Sequence, residues 1–418
     1  MSFSASLSGL NANEQKLKVI GNNLANLNTV AFKASTVDFS DLVYQSVGGS
    51  SANPSQIGLG VTTESISPNF RQGGIENTGV PTNVAIQGNG FFVIGGGEGE
   101  AYTRAGNFAF DKDGVLVTPE GRPVMGYTAT DANGNIITTG AATSITVPPG
   151  VLRTPVTTTT FAAFSNLRNG AAVGDTFTAS VRIYDSLGTA HVATVTYTNT
   201  APGAWNYNIT VPGSEITGGV VGTPFSLANG NLTFNATGQL QNVNGAAAAD
   251  VTIAGPAWSD GAAATAITWD LVDATGAGTL TGFDATESST SSITQNGTPA
   301  GTISSIDINS SGQLVGTLGA GNAVIVGQLA MANFNNPQGL VKLGSNLYGA
   351  SVAAGLPNIG TAGSGGRGTL IGKSLEQSNV DVATEFTQMI LAQRGYQASA
   401  KGITVADEIL QDTLNLKR

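Results

Sequence analysis

His191 is the only histidine in 418 residues, and cysteine is absent altogether. A single imidazole leaves room for one Ser–His–Asp arrangement and excludes multi-histidine metal centres. The missing thiols remove thiolate catalysis, cysteine zinc sites and disulfide frameworks together. His191 opens a strand-like run in phase with Ala193 and Val195, which predicts a partly exposed structural residue. Asp270 and Asp273 could act as paired carboxylates on a glycosidic bond, but Trp269 and Leu271 put them in a strand–turn setting, where solvated turn carboxylates are expected. "GNGFFVIGGG" (88–97) has the glycines of a phosphate loop without the G-x-G-x-x-G spacing, and it leads into strands rather than a helix. "DKDG" (111–114) and "DANGN" (131–135) lack the sixth-position Gly and closing Glu of a calcium loop; Asn133-Gly134 reads as a type I′ hairpin turn. The Asn-x-Ser/Thr tripeptides at Asn208, Asn231, Asn235, Asn296 and Asn309 are expected by chance in an Asn/Thr-rich chain. No set of polar groups suits an enzyme, and no cofactor or metal is assigned.

The elements around these residues are of two kinds. In the middle the apolar period is two: Phe177, Ala179, Val181, Ile183; then Ala193, Val195, Tyr197; then Trp205, Tyr207, Ile209, Val211. These runs predict half-buried strands in an antiparallel meander or sandwich, with a turn at Asp185-Ser186-Leu187-Gly188 and with Trp205, Trp258 and Trp269 as core anchors. A second strand cluster lies at 91–94, 101–110 and 114–118. From Thr154 to Val341 the only Lys or Arg residues are Arg168 and Arg182, which sets the middle apart from its flanks. The net charge of −10 argues against a nucleic-acid partner. No run reaches the ~18 apolar residues of a membrane span, and the amino end lacks the pattern of a cleaved signal peptide.

At the two ends the period becomes seven. Phe3, Leu10, Leu17 and Leu24 form one row, with Leu7, Ile20 and Leu27 beside it. Val382, Met389, Tyr396, Ile403 and Leu410 form the other, flanked by Phe386 and Leu414. Helices over 4–28 and 380–416 would be ~37 and ~55 Å long at the standard rise. Such narrow seams suit pairing of the two helices with each other and with neighbouring copies. Docking of both onto the chain's own β-domain is the alternative, and it predicts wider apolar stripes. Gly21, inside the first helix, is read as a point of close approach by another chain. The fold expected is mixed and mainly β: nested β-domains with long N- and C-terminal α-helices in a coiled-coil-like layer. Its parts are a helical layer at 1–34 and 376–418, linkers at 35–75 and 355–375, an inner β-domain at 76–149 and 300–354, and an inserted outer β-domain at 150–299.

Both ends carry recognisable motifs. "SGLNANEQKLKVIGNNLANLNTVAFKAS" (8–35), with Asn22, Asn23, Asn26 and Asn28, resembles the amino-terminal signature of the bacterial flagellar rod and hook axial proteins. "SLEQSNVDVATEFTQMILAQRGYQASAKGI" (374–403), with Gln393 and Arg394, is similar to their carboxyl-terminal signature. "GNGFFVI" with "YTRAGNFAFDKDGVLV", and "ANFNNPQGLVKLGSNLYGAS", match the shared β-domain. The large insert points to a hook-type member, with a distal rod protein carrying an unusual insert, or a β-rich surface adhesin, as alternatives. Ala31 stands where the family has Gly, which predicts a more helical turn after the first helix. The resemblance implies a helical homopolymer that forms a flexible, curved tube, a universal joint passing motor torque from rod to filament. It also implies export by the flagellar type III route without a cleaved signal, an extracellular location, and contacts with rod, hook cap, hook–filament junction and hook-length proteins.

Overall fold

The computed structural model describes residues 3–50, 53–96, 99–130, 136–147, 152–273, 278–318 and 322–415. The proposed Asn133-Gly134 turn falls outside these, as does the side chain of Phe3. Two helices bracket a body of strands: α1 spans Phe3–Ala25 and α2 spans Val382–Asn415. Both are shorter than the apolar periodicity suggests. α1 stops early because Asn26 folds its amide back onto the Asn22 carbonyl (2.9 Å) and takes the Thr29 hydroxyl (3.0 Å), the local competition that Asn brings to a helix end. α2 starts late because Asp381 is its N-cap, accepting the Thr384 N–H at 2.7 Å. Val380, expected inside the helix, is instead buried with Phe32 and Ala34.

The helices run antiparallel. Ser6 faces Gly402, Gly9 faces Ser399 and Asn13 faces Gly395, so position rises along one helix as it falls along the other. Among the described residues no helix is long and apolar enough to cross a membrane.

The inner body joins early and late parts of the chain. One sheet has the order Val341–Gly344, Leu347–Gly349, Ala101–Thr103, Phe91–Ile94, Met331–Asn333, Asn358–Gly360; a second includes Met125–Tyr127, Ala323–Leu329, Gln313–Leu318 and Ile303–Ile308. Phe92 and Ile94 enter one core with Val84, Ile86 and Leu314, while Phe91 and Val93 enter another with Tyr102, Phe334 and Tyr348. A strand covered on both faces must be apolar throughout, which accounts for "FFVI".

The chain leaves this body past Arg153 and returns past Gly301. The two passes are hydrogen-bonded to each other, Arg153 N–H to the Gly301 carbonyl (3.0 Å) and Val156 N–H to the Thr298 carbonyl (3.0 Å). Between them lies a meander, Thr176–Tyr184, Ala190–Ala201, Ala204–Pro212, Pro224–Phe234, Leu240–Val243 and Ala246–Ala247. A smaller sheet around Thr160–Asn166 packs against it over Val181, Ile183, Val195, Tyr197, Trp205 and Trp269.

The stretches read as linkers are different from expectation. Residues 35–75 contain an antiparallel ribbon, Ser35–Asp41 with Val61–Pro68 and Tyr44–Ser50 with Asn53–Gly58. Residues 355–375 contain Asn358–Gly360, Thr369–Gly372 and most of Ser374–Glu376, which pair with Met331–Asn333, Val84–Gln87 and Ile75–Asn77. Two passes of chain lie side by side there, and their unpaired backbone groups form ladders whatever the Gly and Ser content.

Candidate assembly surface

A buried carboxylate is one of the groups that fix the helical pair to the inner body. Glu376, in the strand Ser374–Glu376, accepts from Lys33 Nζ at 2.6 Å and from Arg104 Nε at 2.9 Å, and its side chain is fully buried. Gly73 N–H adds a third hydrogen bond at 2.9 Å. Lys33 also donates to the Arg71 carbonyl (2.8 Å), and Arg104 to those of Gly90 and Gly88 (both 3.0 Å). Burial holds the Lys33 ammonium below its usual range; Arg104 pushes the same way, and Glu376 opposes both. Satisfying nearly every polar atom is what makes such a group of charges tolerable out of water.

Amide side chains tie the turn after α1 into the same region. Asn23, buried on α1, exchanges two hydrogen bonds with the Ser35 backbone (3.0 and 2.9 Å) and donates to Glu385 on α2 at 3.0 Å. Burial pushes the Glu385 carboxyl up, with Asp381 adding to it and Asn23 and Lys16 opposing. Asn379 accepts from Ala34 N–H and donates to the Asn69 carbonyl, each at 2.8 Å. Asn346 donates to the Val30 carbonyl at 2.7 Å. Ala31 keeps a left-handed backbone, φ 54°, with its N–H on the Glu376 carbonyl at 2.8 Å. The expectation of a more helical turn is therefore overturned: the surrounding hydrogen bonds hold the conformation that glycine would take freely.

The face where α1 meets α2 is built of small residues. A Cβ added to Gly395 would lie 2.7 Å from Asn13 Oδ1, one on Gly402 2.8 Å from Ser6 Oγ, and one on Gly9 3.0 Å from Ser399 Oγ. Ala12 and Ala392 are buried in the same seam. The large apolar rows flank this seam or point away from it. On α1, Ile20 is buried, Leu10, Leu17 and Leu24 are half-buried and Leu7 is exposed; Leu27, expected in the same row, lies in the turn beyond the helix and is half-buried against Phe32 and Val380. On α2, Met389 and Ile403 are half-buried, while Val382, Phe386, Tyr396, Leu410 and Leu414 are exposed. Ile390, Leu391 and Ile409, which heptad counting passed over, extend that exposed apolar surface. Of the motif residues, Asn22, Asn28, Gln393 and Arg394 are exposed, Asn26 is half-buried, and Asn23 is the one in the interior. A Cβ at Gly21 would meet none of the described residues outside its own helix within 4 Å.

The residues weighed for chemistry take other places. His191 is buried rather than partly exposed, because its ring stacks on Trp258 at 3.6 Å and both nitrogens face carboxylates. Asp270 is half-buried, not a solvated turn residue; burial pushes its carboxyl up, and Asp250 and Asp273 add to the shift. Asp111 caps its own turn, accepting N–H groups of Asp113 (2.9 Å) and Val115 (2.8 Å).

Comparison with known proteins agrees along the whole chain. Residues 3–33 match the family described as flagella basal body rod protein, and 85–160 the flagellar hook protein FlgE/F/G D1 domain. Residues 171–298 match the flagellar basal body protein FlaE D2 domain, and 372–416 the flagellar basal body rod FlgEFG protein C-terminal family. The chain is similar to the flagellar hook protein FlgE of Treponema pallidum, 36% identical with 100% of this chain and 99% of that one covered. FlgE of Escherichia coli is 34% identical with both chains fully covered. The flagellar basal-body rod protein FlgG of Bacillus subtilis is 29% identical, covering 100% and 99%. Identity to hook proteins over the full length, with the D2 insert included, means that the chain belongs to the flagellar hook protein FlgE family, whose members are structural subunits of the flagellum and not enzymes.

Proposed function

We propose that copies of this chain polymerise through the exposed apolar faces of α1 and α2 into the tube of the hook, with the helices innermost and the insert outermost. The observation that carries this is the surface left on the paired helices: Val382, Phe386, Ile390, Leu391 and Leu410 remain exposed after α1 and α2 have packed together. At Gly21 an added Cβ would meet none of the described residues beyond its own helix within 4 Å, which leaves room for another helix to come close. The tube bends while passing torque from rod to filament. Its inner wall resists twist because the helices are close-packed and anchored to the β-body through Glu376. Its outer contacts exchange at low cost because the insert has few charges to unpair; the Thr- and Asn-rich strands meet neighbours through weak polar contacts. The subunit works outside the cell, reached by the flagellar type III route, beside rod, hook cap, hook–filament junction and hook-length proteins.

Polymerisation of the purified full-length chain, followed by light scattering and electron microscopy, tests this reading. Phe386→Glu and Leu410→Glu place charge on residues exposed in the subunit, so both variants should melt like the parent and form no tubes. Normal tubes from both would remove the helical faces from the interface. Immunogold labelling with antibodies to residues 155–295 checks the placement of the insert, and gold is expected along the outside of a short curved segment.

A further inference from the structure

The buried histidine lies at the root of the insert, among side chains that the assembly reading does not use. His191 Nδ1 is 2.7 Å from Glu215 Oε2, and Nε2 is 3.1 Å from Asp185 Oδ2. A neutral imidazole carries one N–H. If Nδ1–H goes to Glu215, Nε2 turns its lone pair toward a carboxylate oxygen, an arrangement that calls for a cation. Asp260 supplies a second carboxylate: one oxygen each from Asp185 and Asp260 and one ring nitrogen of His191 all lie within 4.8 Å of one another.

Each group is already oriented. Asp185 Oδ1 is occupied by the N–H groups of Leu187 (2.8 Å) and Thr189 (2.9 Å), which leaves Oδ2 for another partner. Asp260 is held by the Ala262 N–H and the Thr189 hydroxyl, each at 3.0 Å. The imidazole is fixed by its stack on Trp258, with an interplanar angle of 10°. Ligands at ~2.0 Å in a tetrahedral zinc site stand ~3.3 Å apart, close to the Nε2–Oδ2 separation. A carboxylate on the far ring nitrogen is the usual support of a metal-binding histidine, and Glu215 stands in that position.

We propose that Asp185, His191 and Asp260 bind a first-row divalent cation of the zinc type, with Glu215 orienting the imidazole. One imidazole and two carboxylates suit zinc or cobalt better than calcium or magnesium, which prefer all-oxygen shells. Asp185 and His191 are buried and Asp260 is exposed, so the ion arrives from the Asp260 side and keeps water on that face. Its structural effect is a clamp. It joins the turn at 185–188, the strand Ala190–Ala201 and the loop at 258–262, beside Pro155 and Ala300 where the chain enters and leaves the insert.

The full-length chain, stripped with EDTA and dialysed, is titrated with Co2+ in the visible range and with Zn2+ by calorimetry and thermal melting. A single Co2+ should give d–d bands that Zn2+ abolishes, and Zn2+ should raise the melting temperature. Asp260→Asn keeps the hydrogen bond from Ala262 at an exposed position, and should weaken Zn2+ binding at least ~tenfold. His191→Gln should abolish the bands, with tryptophan fluorescence as the check on folding. No heat and no melting shift with Zn2+ would overturn the proposal, leaving His191 hydrogen-bonded between Asp185 and Glu215 as a structural residue. Binding that is unchanged in Asp260→Asn would overturn it equally, since the ion would then sit elsewhere.

Discussion

Lys33 and Glu376, 343 positions apart in sequence, meet at 2.6 Å with both side chains fully shielded from water. One residue follows α1 and the other precedes α2, so this pair and Arg104 decide how the helices are set on the β-body. Glu376→Gln leaves two buried cations without their counter-charge and should cost about 3–5 kcal/mol. Lys33→Met should cost less, because Arg104 still neutralises the carboxylate. Made in the Glu376→Gln background, Lys33→Met should cost less again than in the parent, the coupling expected of groups in one network. Denaturant unfolding followed by far-UV circular dichroism measures all three. Equal, additive effects would mean that the network is not acting as a unit.

Ala31 holds a left-handed conformation that costs an L-residue with a Cβ roughly 1–2 kcal/mol. Ala31→Gly removes that cost while giving back some unfolded-chain entropy. The variant should therefore be more stable by about 0.5–1 kcal/mol, read as a higher melting temperature. A lower one would show that this backbone geometry does not persist in solution.

The small-residue seam makes opposite predictions for two glycines. Gly395→Val drives a side chain into Asn13 and should separate α1 from α2, costing about 1–3 kcal/mol and exposing their amides to hydrogen exchange. Gly21→Ala meets open space and should strengthen α1 by up to about 1 kcal/mol in the subunit. If a neighbouring helix approaches at Gly21 in the tube, the same variant should polymerise more slowly than the parent. Faster or equal polymerisation would place Gly21 away from the interface.

Asp381 gives α2 a pH-dependent start. Hydrogen bonds from the Thr384 N–H and hydroxyl hold its carboxyl below the usual range; slight burial opposes them and the Ala383 N–H assists. A folded value below the unfolded ~3.9 means that the cap contributes above that pH and is lost as pH falls through the folded value. Amides of Ala383, Thr384 and Glu385 should lose exchange protection over that acid window. Asp381→Asn keeps an acceptor at the cap and should remove the pH dependence; an unchanged profile would assign it to another group.

The sequence shows large residues at regular spacing better than it shows small or scattered ones. Val181, Ile183, Val195 and Tyr197 announce strands by alternating, and the Leu10, Leu17, Leu24 row announces a helix by returning every seven positions. Ser6, Gly9, Asn13, Gly395, Ser399 and Gly402 carry no apolar signal, so the surface that pairs the helices is hidden from a hydrophobic count. Lys33, Arg104 and Glu376 are single charges in three separate segments, and only the fold brings them together. Asp185, Glu215 and Asp260 sit in turns around His191 for the same reason. The strands within the expected linkers escaped because pairing depends on where the other pass of chain runs, not on the Gly-rich run itself.

The paired passes at Arg153 and Gly301 have a consequence for how such a chain can change over time. Because the way out and the way back are hydrogen-bonded neighbours, the insert joins the β-body where these two passes lie side by side. A short turn at that point would close the inner chain, and a larger module could be spliced in at the same place. Either change leaves the spacing of Lys33, Arg104 and Glu376 as it is. If the insert faces outward in the tube, as proposed above, chain length would measure how far each subunit reaches outward, and tubes of very different thickness could share one bore.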